Sequence, residues 1–189
     1  VLLMLITSIV GMLLSSNAPI PFETFFWSLT GLAGAMGGAA AFNQILDEQI
    51  DRIMKRTQNR PIAANRVTPE KALIFATSLC IASLAILYFL VNPLTAVLTF
   101  LGVITYAFTY TVFLKRATPQ NIVIGGIAGA IPPLLGWTAV TNSIHPHAWL
   151  LVLIIFVWTP PHFWALSIHR CNDYKEADIP MLPVTHGIH

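Results

Sequence analysis

The chain has 189 residues, of which 56% are hydrophobic and only 10% are charged, with a formal net charge of +2. Soluble domains carry about a quarter of their residues as charged side chains, so this composition excludes an ordinary soluble domain. We expect no nucleic-acid partner. The composition instead predicts a polytopic membrane protein in contact with lipid.

Six apolar runs follow one another along the chain. A backbone inside a membrane must satisfy its own hydrogen bonds, so each run is predicted to be a helix. The fold class is therefore an all-α, polytopic transmembrane helical bundle. The runs cover about residues 1–14, 24–46, 72–91, 94–114, 121–140 and 148–168.

The two ends of the chain suggest a fragment of a longer protein. The first residue is Val1, inside an apolar run, and the last is His189, in a polar loop. We expect residues 1–189 to form a single membrane-embedded domain that lacks its N-terminus. Cys80 and Cys171 give neither a disulfide pattern nor a metal-ligand spacing, so both are predicted to be unpaired thiols.

All ten basic side chains fall on one side of a six-helix topology. They lie in the loops after the second, fourth and sixth runs, and the other loops have none. By the positive-inside rule this side is cytoplasmic, or the matrix side in a mitochondrion. We expect the membrane to be a bacterial inner membrane, or a mitochondrial inner membrane if the protein is eukaryotic. The residues are Arg52, Lys55, Arg56, Arg60, Arg66, Lys71, Lys115, Arg116, Arg170 and Lys175.

Small residues and prolines indicate where helices pack or bend. Two G-x-x-x-G motifs are predicted to let helices approach closely. Proline pairs at residues 132–133 and 160–161 interrupt the fifth and sixth runs, either as plain kinks or as parts of a cavity wall. The two glycine motifs are formed by Gly34 with Gly38 and by Gly125 with Gly129.

The first polar cluster occupies residues 43–61, where an apolar run ends. Asn43, Asp47 and Asp51 are spaced four apart, which keeps them near one face of a helix. A solvated cap would account for the cations that follow, but not for polar groups at the end of an apolar helix, which are costly and usually functional. The cations of interest are Lys55, Arg56 and Arg60.

The second polar cluster, residues 169–183, follows the sixth run on the same side of the membrane. It contains Asp173 and Asp178, five apart. Two facing acidic clusters without His or Cys spacing predict Mg²⁺ rather than zinc. The neighbouring cations would then bind phosphate oxygens.

These parts suit a lipid diphosphate whose head binds at the cytoplasmic rim while its tail lies among the helices. Metal and cations would stabilise diphosphate as a leaving group. If the tail is allylic, an apolar chamber would protect the resulting carbocation from water until an acceptor π-bond attacks.

The motif N-x-x-x-D-x-x-x-D, followed by a second Asp loop, resembles the UbiA-type intramembrane prenyltransferases. The longer stretches at residues 51–61, 158–166 and 173–184 (D-R-I-M-K-R-T-Q-N-R-P, W-T-P-P-H-F-W-A-L and D-Y-K-E-A-D-I-P-M-L-P-V) resemble its protohaem IX farnesyltransferase branch. That family has nine transmembrane helices. The resemblance implies six of nine helices here, around a central cavity open to the cytoplasmic side, with the last three missing.

The resemblance also implies a reaction, in which farnesyl diphosphate and haem B give haem O and diphosphate. Haem O would then serve terminal oxidases, with haem A synthase or oxidase assembly as possible partners. The implied catalytic residues are Asn43, Asp47, Asp51 and Asp173. The implied Mg²⁺ ligands are Asp47, Asp51, Asp173 and Asp178, although the last departs from the D-x-x-x-D spacing of the wider family.

Further roles follow from the same motif positions. Arg56 and Arg60 match R-T-x-x-R-P and would bind diphosphate, with Lys55 and Lys175 as weaker members of that set. His162 could contact the iron or a propionate of haem. Trp158 and Trp164 could stack on a porphyrin, or could equally pack or anchor the helix. No role is assigned to His145, His147, His186 or His189.

Two other hypotheses remain at this point. One is a UbiA-type prenyltransferase with a quinone-precursor or other aromatic acceptor, against which the P-P-H-F-W and I-P-M-L-P stretches argue. The other is a non-enzymatic transporter or channel, because acidic residues within a membrane also occur along ion and substrate pathways.

Overall fold

The structure is a computed structural model that describes residues 1–107, 118, 120–177 and 179–187. Over these residues it contains helices and no strands, which confirms the all-α prediction. In chain order the helices are α1 (Leu2–Ser15), α2 (Phe22–Leu46), α3 (Glu48–Ile53), α4 (Pro69–Leu90), α5 (Pro93–Ile104), α6 (Asn121–Ala130), α7 (Pro132–Thr141), α8 (Pro146–His169), α9 (Cys171–Glu176) and α10 (Leu182–His186).

Five of the six apolar runs begin and end within a few residues of described helices, and the run at residues 121–140 does so as the pair α6 and α7. Helices α2, α4 and α8, and α6 with α7 taken together, are long and apolar enough to cross a membrane, while α1 and α5 are shorter apolar helices. The chain is therefore a multi-pass membrane protein. The predicted fourth run extends to residue 114, but residues 108–117, including Lys115 and Arg116, lie outside the described part of the chain.

Helix starts follow from local sequence signals. Thr68 and Asn92 cap α4 and α5, and each is followed by a proline in the first turn. The Asn92 side chain accepts a hydrogen bond from the Thr95 N–H at 2.8 Å, which satisfies one of the free amides of the first turn. At the C-terminal end of α7, Asn142 takes a left-handed conformation that stops the helix.

The two proline pairs behave differently. The pair at residues 132–133 divides the predicted fifth run into α6 and α7, because proline is well placed in the first turn of a new helix. The pair at residues 160–161 lies inside α8, which remains continuous. Only the first pair therefore separates two helices.

The most extensive helix contact joins α2 to α4. A methyl group added at Gly38 would meet Cys80 and Ala76, and one added at Gly34 would meet Ser83. The first predicted G-x-x-x-G contact is thus confirmed, since these glycines let α2 lie directly on α4.

The second predicted glycine contact is wrong at Gly129. A methyl group there would meet no described atom within 4 Å, so this glycine faces open space. The packing contact belongs to Gly126, where an added carbon would lie 3.1 Å from Thr159 of α8. A spacing of four cannot distinguish a glycine that packs from one that leaves room.

Helix α1 packs against α7 at two glycines that the sequence did not single out. A methyl group at Gly11 would overlap the backbone of Pro133, and one at Gly136 would overlap the backbone of Ser8. Backbone atoms cannot move aside as a flexible side chain can. This contact therefore requires glycine at both positions.

Buried polar groups fasten the turn between α4 and α5 to α7. The Asn92 amide donates to the Thr138 carbonyl at 2.9 Å, and the hydroxyls of Thr95 and Thr138 are 3.0 Å apart. All three side chains are buried. Such groups stabilise the fold only when they are hydrogen-bonded, as they are here.

We predict that Gly136→Ala destabilises the protein, because the added methyl meets the Ser8 backbone. Overpacking of this kind costs about 1–3 kcal/mol and should lower the midpoint of thermal unfolding in detergent. The matched control is Gly102→Ala in α5, where no described atom lies within 4 Å of the added carbon. Equal midpoints for the two variants would contradict the α1–α7 packing.

Candidate active site

A cavity of about 540 Å³ lies among the helices. Along α2 it is bordered by apolar residues at helical spacing, from Leu32 through Ala35 and Ala39, and then by Asn43. The spacing of three or four shows that one face of α2 borders the cavity throughout. The face is apolar for most of its length and polar at the C-terminal end of the helix.

The predicted row of Asn43, Asp47 and Asp51 is intact across a helix break. Helix α2 ends at Leu46, and α3 begins at Glu48. The Asp47 N–H still donates to the Asn43 carbonyl at 2.9 Å, and the Asp51 N–H donates to Asp47 at 2.8 Å. The three side chains border the cavity and are at most 8% exposed.

The carboxylates of Asp47 and Asp51 each have a defined polar partner. The Asn43 amide donates to Asp47 Oδ2 at 2.9 Å. The Arg60 guanidinium donates to Asp51 Oδ2 at 2.7 Å. The Asp51 side chain is only 3% exposed, whereas that of Arg60 is 30% exposed. A buried carboxylate remains charged only with such compensation.

A neighbouring face of α3 has a different character. Glu48 and Arg52 form an ion pair at 2.7 Å on the surface. Neither borders the cavity. Two faces of one short helix thus present an exposed ion pair and a buried carboxylate that pairs with Arg60.

The loop after α3 returns Arg60 to Asp51 through a series of tight turns. The Thr57 N–H donates to the Met54 carbonyl at 3.0 Å, and the Arg60 N–H donates to the Thr57 carbonyl at 2.9 Å. Thr57 is buried, and its hydroxyl donates to the Asp51 carbonyl at 3.4 Å. The threonine of R-T-Q-N-R-P therefore helps to fix the position of the second arginine.

The four predicted diphosphate-binding cations divide into two pairs. Arg56 and Arg60 border the cavity. Lys55 and Lys175 are exposed and do not border it. Lys55 is adjacent to Arg56 but points elsewhere, because neighbouring residues in a turn project in different directions.

The second polar cluster lies next to the first, as the sequence predicted. Ile179 and Met181 pack with Ile50 and Met54 in a buried apolar cluster, with Tyr174 against it. This contact places the segment after α8 against α3. Among the described residues, apolar side chains make this junction.

Of the predicted acidic ligands, the three that the structure describes (Asp47, Asp51 and Asp173) do not form one group. Asp173 is half-buried and does not border the cavity, although its neighbour Tyr174 does. Asp178 lies outside the described residues. Within the described ranges, no three His, Cys, Asp or Glu side chains are close enough to hold a metal ion together.

His162 does not border the cavity, and its contact with haem stays a prediction. Its ring stacks on Trp158, with centroids 4.1 Å apart and planes at 18°. Trp158 itself borders the cavity, as does Phe163, whereas Trp164 does not. Of the two tryptophans considered for stacking, only Trp158 borders the cavity, and its stacking on a porphyrin stays a prediction.

A family model for UbiA prenyltransferases matches residues 4–189. The chain belongs to the UbiA prenyltransferase family. It is similar to a protein of Alcanivorax borkumensis named protoheme IX farnesyltransferase, with 63% identity over 190 residues. The match covers 100% of this chain but 63% of that relative, so the chain spans less than two thirds of its length.

Two solved structures share the UbiA fold. The apo structure of a UbiA homologue from Aeropyrum pernix K1 has a TM-score of 0.78 and 24% identity, covering 97% of this chain and 68% of that one. A UbiA homologue from Archaeoglobus fulgidus, bound to DMAPP and Mg²⁺, has a TM-score of 0.75 and 16% identity, covering 97% and 65%.

The structure adds site residues of this UbiA-family chain that sequence analysis missed. Asn121 and Tyr106 border the cavity. Asn121 is 1% exposed at the first residue of α6, where the sequence analysis treated it only as a helix boundary. The signal in the sequence was an amide at the N-terminal boundary of an apolar run, on the side of the membrane that carries the polar clusters. Tyr106 lies within an apolar run and had no pattern to reveal it.

We predict that Arg60→Met lowers the stability of the protein by about 2 kcal/mol, because it leaves the buried Asp51 carboxylate without its cation. Solvent reaches Arg60, so the loss should be smaller than for a fully buried pair. The matched control is Arg52→Met, which breaks the exposed pair with Glu48 and the exposed hydrogen bond to Asn65, and should cost less than about 1 kcal/mol.

Thermal unfolding of purified protein measures both effects. Adding Asp51→Asn to Arg60→Met should recover most of the loss, since it removes the uncompensated charge. An equal loss from both single arginine variants would mean that burial of Asp51 does not matter.

Proposed function

We propose that the protein transfers the farnesyl group of farnesyl diphosphate to a vinyl group of protohaem IX (haem B), which forms haem O and releases diphosphate. The observation that carries this proposal is the buried row Asn43–Asp47–Asp51 at the polar end of an apolar cavity. The acceptor is supported by the name of the relative from Alcanivorax borkumensis at 63% identity.

The polar end of the cavity suits a diphosphate. Arg56 and Arg60 border it and can donate hydrogen bonds to phosphate oxygens, in the forked geometry that guanidinium groups favour. Arg60 already donates to Asp51, so a diphosphate at this position would compete with that carboxylate for the same cation. Lys55 and Lys175, both exposed, would act only at the outer rim.

The carboxylates suit Mg²⁺, which binds hard oxygen ligands and is typically held by one or two carboxylates together with substrate phosphates. Asp47 and Asp51 would hold it, in line with the Mg²⁺ and DMAPP bound to the homologue from Archaeoglobus fulgidus. When bound, the ion neutralises charge on the departing diphosphate. Asp173 and Asp178 are proposed as a second set on the facing segment.

The transfer breaks the bond between farnesyl C1 and the diphosphate oxygen, which keeps the electron pair. The vinyl π-electrons form a bond to C1 and leave a cation beside the porphyrin. Water adds to this cation and loses a proton, which gives the hydroxyethylfarnesyl side chain. The apolar wall, which includes Leu32, Ala35 and Leu135, would limit how early water reaches the allylic cation that forms at farnesyl C1.

We place the reaction on the cytoplasmic side of a bacterial inner membrane. The support is the position of the loop after α3 and the segment after α8, which contain most of the basic residues and lie against each other. Haem O would leave toward haem A synthase or terminal oxidase assembly. Membership in a prenyltransferase family favours this reaction over the transporter hypothesis.

The test is an assay of the purified full-length protein with farnesyl diphosphate, haem B and Mg²⁺, read by mass spectrometry. We expect haem O as the product. Parallel reactions with a quinone precursor or an aromatic acid as acceptor separate the alternative. Prenylation of one of these, with haem B unchanged, would overturn the assignment.

We predict that Asp47→Asn and Asp51→Asn each reduce turnover by about 100-fold or more, because each removes a charged ligand next to the leaving group. Glu48→Gln is the matched control. Glu48 lies between the two aspartates in the sequence, but its side chain pairs with Arg52 at the surface. Turnover should therefore remain within about twofold of the wild type. Near-normal turnover in either aspartate variant would remove the basis for the site.

We also predict that EDTA abolishes farnesyl transfer and that added Mg²⁺ restores it, because diphosphate departure needs charge neutralisation. Restoration by Mg²⁺ should fail in the Asp47→Asn protein at concentrations that suffice for the wild type. Full activity of the EDTA-treated wild type would contradict a role for a metal ion.

A further inference from the structure

The aromatic group on α8 has a specific internal order. His162 lies between two aromatic side chains that border the cavity. It is stacked on Trp158 with centroids 4.1 Å apart, and it meets the Phe163 ring edge-on at 5.4 Å and 80°. The imidazole itself does not border the cavity. It therefore contacts two residues of the cavity wall without forming part of the cavity surface.

The backbone next to this stack is unusually restricted. Trp158 and His162 are one helical turn apart, so their side chains lie on the same face of α8. Between them are Pro160 and Pro161, whose rings fix the backbone torsion φ at two successive positions. A near-parallel pair held across such a turn limits the orientations available to the indole.

Helix α6 borders open space in the same cavity. Helix α6, which packs against α8, borders the cavity with Gly125, Gly126 and Gly129. At Gly129 an added carbon would meet no described atom within 4 Å. An indole ring that borders such space can stack on a planar aromatic acceptor or stabilise a nearby carbocation through its π-face.

We infer that Trp158 is the residue that contacts the acceptor's planar ring, and that His162 is a positioning residue that holds this indole rather than a ligand of the acceptor's iron. The inference rests on the proposed function, because it takes a tetrapyrrole as the acceptor. In this arrangement the aromatic ring of His162 matters, and its nitrogen atoms do not.

Two replacements of His162 separate these properties. His162→Phe keeps a planar ring that can stack on Trp158 but removes both nitrogens. His162→Gln keeps a polar side chain but removes the ring. We expect His162→Phe to retain the KM for haem B within about twofold, and His162→Gln to raise it about tenfold. The KM for farnesyl diphosphate should be unchanged in both, because the proposed diphosphate contacts come from Arg56 and Arg60 and not from this stack.

The second measurement uses a variant of Trp158. Trp158→Leu should raise the KM for haem B at least as much as His162→Gln does. The Trp158→Leu/His162→Gln double variant should be no worse than Trp158→Leu alone, since His162 acts through the indole. Trp164→Leu, on the same helix but away from the cavity, is the control and should leave the KM for haem B unchanged.

The outcomes are distinct. If the wild type does not farnesylate haem B, the proposed function fails, and with it the tetrapyrrole acceptor. If the wild type is active but His162→Phe is as impaired as His162→Gln, the nitrogens of His162 are required and the positioning role is wrong. Additive losses in the double variant would also overturn it. Thermal unfolding midpoints close to that of the wild type confirm that each variant is folded.

Discussion

Two carboxylates are buried at the end of a membrane helix, and the surrounding structure serves to compensate them. Asp47 and Asp51 are each 2% exposed, at the junction between α2 and α3. Burying a charge without a partner costs several kcal/mol. The Asn43 amide and the Arg60 guanidinium provide that compensation at 2.9 Å and 2.7 Å. The loop through Thr57 returns Arg60 to α3, where its guanidinium contacts Asp51.

The same constraint explains how an apolar cavity and a charged site can share one wall. The face of α2 that borders the cavity changes from Leu32 and Ala35 to Asn43 without leaving its helical register. A hydrophobic tail and a charged head could therefore bind along one continuous surface. The apolar contacts of Ile179 and Met181 with α3 then place the second polar segment beside the first.

Much of this was accessible from the sequence because it depends on periodicity. The helices follow from apolar runs, and the row of polar residues follows from a spacing of four. What depends on side-chain direction was not accessible. His162 and Trp158 are equally plausible contacts for haem in the sequence, but only Trp158 borders the cavity. Likewise, Gly126 packs while Gly129 leaves space, and Asn121 gains its significance only from the fold.

The central claim is that the buried row on α2 and α3 binds an allylic diphosphate together with a divalent cation. Isothermal titration calorimetry with a non-reactive thio-analogue of farnesyl diphosphate tests it without requiring any acceptor. The account predicts binding of one analogue per chain that needs Mg²⁺ and is lost in the Asp51→Asn protein. Binding of equal strength without Mg²⁺, or unchanged in that variant, would contradict it.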